Sequence, residues 1–172
     1  MGFAEFEQSI SSPNLKSVAR HWDEVRGGRR MPSWTDIRPA QIKAQLSIVW
    51  SYDYEPARDD FVGRLAGIAI SGMSSGRFKG LRLSELRPID QYPRALARAR
   101  RVVKDPALYR GEGLVYKTAN DFGFGERIAL PISNDGNTAD GIFGATEYTR
   151  YPSFDPSDPE ARTEVEYWFS LN

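Results

Sequence analysis

The chain has 172 residues, of which 40% are hydrophobic and 12% aromatic, with 23 basic and 23 acidic side chains balancing to zero formal charge. This suits a single domain with an adequate core and argues against general nucleic-acid binding, which needs a basic excess on at least one face. Cysteine is absent and His21 is the one histidine, which excludes disulfides, thiolate catalysis, thiol-linked flavin and Cys- or His-rich metal sites.

The opening MGFAEFEQSI lacks a basic segment followed by an apolar run, so no secretory signal is expected. No apolar run approaches the ~20 residues of a membrane span. A cytoplasmic protein without membrane insertion is expected, with residues 1–13 as an N-terminal extension. Ser12-Pro13-Asn14 then opens a helix, Ser as the cap and Pro in the first turn. Leu15, Val18, Trp22 and Val25 recur at helical spacing as one apolar stripe, and Gly27-Gly28 ends it. An irregular stretch leads to a short helix over 40–46.

SIVWSYDY, residues 47–54, reads as a strand with Ile48, Trp50, Tyr52 and Tyr54 on one face. A second strand follows over 60–66, and 68–89 reads as short helical turns punctuated by glycine. A longer helix, capped by Asp90, spans 90–104 with Tyr92, Leu96, Ala99 and Val103 on one face, stopped by Asp105-Pro106. Residues 110–118, 124–133 and 139–149 read as three strands joined by Asn/Asp/Gly turns, an antiparallel meander. The tail, 151–172, is rich in proline and acid, with one closing helix expected around Val165 and Trp168. The order predicts an α+β fold: a five-stranded antiparallel sheet with helices inserted between strands two and three, and the amphipathic N-terminal helix on the other face.

That order resembles a PAS domain, and more narrowly a family of stand-alone bacterial PAS proteins. The resemblance rests on Trp22, Arg26, Pro32, Asp36, Pro39 and Leu46, on Phe61, Arg64, Leu65 and Gly67, and on Leu130-Pro131-Ile132 with Asp135-Gly136. It covers residues 14–150. Trp34, Ser47 and Ile68 depart from its pattern. The resemblance implies a sensory or interaction module working by protein contact, with small-molecule sensing as an option and the ligand unassigned. Signal transduction without an output domain of its own is the expected role, a signalling protein or a second copy being the partner.

Several side chains are candidates for that chemistry. DDFVGRLAGIAISGM, 59–73, is glycine-rich but carries neither G-x-G-x-x-G nor G-x-x-x-x-G-K-[ST], so it reads as a strand running into a cavity and not as a phosphate loop. Trp50, Arg64, Met73, Phe78, Tyr116 and Phe143 are the candidate pocket residues, since small-molecule cavities are mostly apolar with a few polar groups; the alternative for each aromatic is plain core. Arg64 calls either for an anionic ligand or for a carboxylate such as Glu112, Glu126 or Glu147. Leu15, Val18, Trp22 and Val25 cap the sheet, pair with a second copy, or do both. His21 reads as a half-exposed helix residue away from the cavity, so haem is not expected. The basic helix, with Arg94, Arg98, Arg100, Arg101 and Lys104, reads as a solvated face. The competing function is a small cone-shaped α+β enzyme, isomerase- or hydrolase-like, using a carboxylate pair such as Glu112 and Glu126 as general base.

Overall fold

The computed structural model describes residues 2–72, 76–118, 121–151 and 163–171. Two helices open the chain, α1 (Phe3–Ser9) and α2 (Pro13–Arg26), followed by 3₁₀ turns at Trp34–Asp36 and Pro39–Gln45. Strands β1 (Val49–Glu55) and β2 (Asp60–Ala66) precede short helices α3 (Ile68–Ser71) and α4 (Leu83–Leu86) and the longer α5 (Tyr92–Lys104). Three long strands follow, β3 (Ala107–Lys117), β4 (Phe122–Ile132) and β5 (Gly141–Tyr151), and then β6 (Val165–Ser170). One antiparallel sheet results, in the order β2-β1-β5-β4-β3-β6.

The α+β class, the antiparallel sheet and the helices between the second and third strands are as expected. Two details differ. The segment around Val165 and Trp168 is a sixth strand paired with β3, because Tyr167 and Phe169 alternate with Glu166 and Trp168 across the pleat and not at helical spacing. The N-terminal segment also forms a helix of its own, whose Phe6 is wholly buried against Phe169.

α2 starts as its sequence dictates. The Ser12 hydroxyl accepts the Leu15 amide at 3.1 Å, Pro13 occupies the first turn and Gly27, at φ 57°, closes the helix. Leu15, Val18 and Trp22 are fully buried and Val25 packs partly covered against the same core. Of the two roles open to this stripe, sheet capping accounts for its burial, and it leaves Leu15, Val18 and Trp22 no exposed surface to offer a second copy. Trp22 fixes the helix in place: its indole N–H donates to the Pro131 carbonyl at 2.9 Å and its ring stacks on Phe3.

α3, α4 and α5 roof the opposite face. α5 begins at Tyr92 with Gln91 as its cap, not Asp90, and buries Ala95, Leu96, Ala99, Val102 and Val103. The turn into this roof is made at Gly67, where a Cβ would overlap the Leu46 carbonyl and the Ser47 backbone, so the chain passes there only without a side chain. The Gly67 amide donates to Val49 at 2.8 Å, tying the exit of β2 to the start of β1.

Two outcomes follow from this packing. Trp22→Ala is expected to cost about 3–5 kcal/mol in a urea unfolding titration, from the cavity left and the orphaned carbonyl. Gly67→Ala is expected to cost about 1–3 kcal/mol in the same titration, through backbone displacement at the β2–α3 turn.

Candidate functional site

The pleat of the sheet separates the charged side chains of its interior into two groups. On the N-terminal helix face, register sets Glu112 directly opposite Glu126 and Glu126 opposite Glu147. Arg110 bonds both Glu112 and Glu126, and the backbone amides of Ser11 and Ser12 donate to Glu126 at 2.8–3.2 Å. Glu147 takes the Ser12 hydroxyl and the Asn14 amide. The carboxylate pair considered for general-base chemistry thus exists, but Arg110 and the α1–α2 junction occupy it.

Beneath the roof the balance is reversed. A cavity of about 230 Å³ is lined by Arg87, Arg94, Arg98, Lys117 and Arg127, against which stand the carboxylates of Asp90 and Glu164. A second cavity, about 290 Å³, adjoins it and shares Arg87, Tyr116 and Lys117; its far wall is Tyr52, Ile70 and Phe78. Trp50 and Tyr52 close a small void of about 30 Å³ between them and α5.

Glu164 sits at the centre of the charged end. Its carboxylate meets Arg98 at 3.0 Å, Arg127 at 2.7 Å and the Tyr109 hydroxyl at 2.8 Å. The side chains of Arg98, Arg127 and Glu164 are 12%, 7% and 6% exposed, so this is a desolvated ion cluster and not a surface pair. Space for the carboxylate exists because residue 111 is glycine: a Cβ there would overlap both the Glu164 carboxylate and the Tyr109 hydroxyl.

The local field follows from this geometry. Burial, with Arg98 and Arg87 nearby, pushes the Arg127 guanidinium down to about 10 against the pull of Glu164, and it stays charged at neutral pH. Burial raises the Tyr109 and Tyr52 hydroxyls, which therefore remain protonated donors. Burial alone would raise the Glu164 carboxyl, but Arg127 and Arg98 with the Tyr109 hydroxyl outweigh it and hold it below its ordinary 4.5. Arg87 Nε is buried without a hydrogen-bond partner.

Of the pocket candidates, Trp50, Phe78 and Tyr116 line these cavities. Phe143 and Arg64 do not. Both lie on the other face, Phe143 by pleat alternation and Arg64 at the β1–β2 register shift, where Phe143 packs edge-on against Trp34 and Arg64 lies over the same indole, bonded to Asp53 at 2.9 Å. The glutamates considered as its partners belong instead to the Arg110 group. Met73 lies outside the described residues. His21 is not half-exposed but buried, its Nε2 accepting the Arg38 amide at 3.0 Å, and burial lowers its pKa below 6.5. The basic helix is not a plain solvated face either. Arg98 points into the cluster, Arg101 covers Trp168, Arg94 pairs with Glu166, and Arg100 and Lys104 pair with Asp59. Sequence reasoning passed over Arg87, Tyr109, Arg127 and Glu164; the available signal was Arg127, a cation inside the central run RIALPI.

A family model of the PAS domain matches residues 10–146, most of the chain, including β1 to β4 and the whole roof. The chain belongs to the PAS domain family. Neither the curated proteins nor the solved structures compared with it match this PAS domain. Among its described residues no helix is long and apolar enough to cross a membrane.

Because the Glu164 carboxyl is more acidic folded than unfolded, the folded state binds fewer protons there, and its contribution is present above 4.5 and lost as the pH falls through the lowered value. Glu164→Gln is expected to cost about 3 kcal/mol at neutral pH, as when one partner of a buried pair is removed. The stability gap between the two proteins is expected to close as the pH drops below about 4.5, read from urea midpoints across an acid series.

Proposed function

We propose that this PAS domain is a sensory and interaction module of the cytoplasm, taking a small molecule between its sheet and its helical roof and passing the event on by protein contact. The observation that carries this reading is the pair of adjoining cavities beneath α4 and α5. Each is a little under the ~300–1,000 Å³ usual for small-molecule sites, and together, across the Arg87, Tyr116 and Lys117 side chains that they share, they fall within it. Their lining supports binding over plain core: aromatic surface from Tyr52, Phe78 and Tyr116 at one end and guanidinium groups at the other. The carboxylate-enzyme reading gains no comparable support, since Arg110 bonds both Glu112 and Glu126.

Native mass spectrometry of freshly purified protein, followed by thermal melts against a panel of charged and neutral metabolites, tests this. A retained small mass, or a compound present at a hundred times its Kd that adds about 2.7 kcal/mol and raises the melting point by roughly 5–10 °C, is the expected result. No retained mass and no shift from any compound would overturn it.

A further inference from the structure

We propose that Glu164 is the chain's own occupant of a carboxylate-binding socket, and that small organic carboxylates displace it and loosen the first half of β6. This rests on the small-molecule reading of the roof cavity and names the ligand class that reading lacks.

The socket is built from three elements that pack together. Arg98 comes from α5, Arg127 from β4 and the Tyr109 hydroxyl from β3, and all three converge on one carboxylate. Gly111, the next residue but one along β3, clears the volume that the carboxylate fills. Planar guanidinium groups with a neutral hydroxyl suit a carboxylate's two oxygens, and burial strengthens each contact.

The socket also opens onto space. Glu164 and Thr163 form part of the wall of the 230 Å³ cavity, so an incoming acid reaches Arg98 and Arg127 without lifting the roof. Five cationic side chains line that cavity against the carboxylates of Asp90 and Glu164, and Glu166 answers Arg94 from beside it. The balance of charge there favours a further negative group. Exchange of Glu164 for a diacid would bring in one carboxylate for the socket and a second for Arg87 or Lys117.

What the displaced residue releases is limited. Glu164 immediately precedes β6, an edge strand bonded to β3 alone. Its near half is held by the β3 ladder and by exposed side-chain contacts, Glu166 on Arg94, the Tyr167 hydroxyl on Glu112 and Arg110 over the Tyr167 ring, while Trp168 packs on Tyr109, Phe169 on Phe6, and the Leu171 carbonyl accepts from Arg26 at 3.1 Å. Loss of the Glu164 anchor therefore leaves residues 163–167 to the edge ladder and to exposed contacts of small worth, about a fixed far end.

The test uses the full chain and three probes: glutarate, its neutral analogue glutaramide, and inorganic phosphate. In calorimetric titrations Glu164→Gln is expected to bind glutarate at least about tenfold more tightly than wild type, since the internal competitor is gone, and glutaramide is expected to bind neither. In the wild type, glutarate is expected to speed amide hydrogen exchange at 165–167 and leave 168–170 unchanged. Equal glutarate affinity in a folded Glu164→Gln, or phosphate binding in its place, would overturn the proposal. If that variant does not fold, the wild-type exchange decides, and unchanged protection at 165–167 sinks it. A neutral panel compound that raises the melting point where glutarate does not would remove the carboxylate assignment while leaving small-molecule sensing intact.

Discussion

A sheet whose two faces are both rich in apolar side chains must be covered twice, and most of this chain's organisation follows from that need. α1 and α2 cover one face, anchored by Trp22; α3, α4 and α5 cover the other, reached through the one backbone passage that Gly67 permits. Pleat alternation then decides the fate of each residue. Neighbours in sequence such as Glu126 and Arg127, or Ile142 and Phe143, end in separate environments on opposite sides of one strand.

The two covers enclose charge of opposite balance. On the N-terminal side carboxylates outnumber Arg110, and the excess is met by the Ser11 and Ser12 amides just ahead of α2. On the roof side guanidinium groups outnumber carboxylates, and one tail residue, Glu164, answers two of them. Buried ions of this kind contribute little net stability, because desolvation offsets attraction, yet removing one partner is costly. Such clusters hold neighbouring elements in register: Glu126 ties the start of α2 to the sheet, and Glu164 ties the tail beneath α5.

Local patterning made much of this visible in the sequence. The α2 stripe, the Ser12-Pro13 start, the turn residues of the meander and the alternation of β1 each follow from rules that act over a few residues. The resemblance carried by Trp22, Gly67 and Leu130-Pro131-Ile132 supplied the topology. The site was only half legible. Trp50, Phe78 and Tyr116 could be placed on the cavity side, but Arg64, read opposite Leu65 and grouped with them, lies on the other face, beside a register shift that exists only in the tertiary pairing of β1 with β2. Arg98 looked like one more exposed cation until α5 had a sheet to lie against. Glu164 was hidden in an acidic tail whose strand character comes from a β3 edge more than fifty residues away.

The order of the sheet also bears on how the chain reaches this state. Tyr52 pairs with Ile142, so the first two strands have no neighbour until about 90 more residues have been made. A lone two-stranded hairpin is barely stable in water. The meander of β3, β4 and β5 pairs across short turns, whereas the N-terminal third reaches the sheet only through the long-range pairing of β1 with β5, the kind of contact that slows folding.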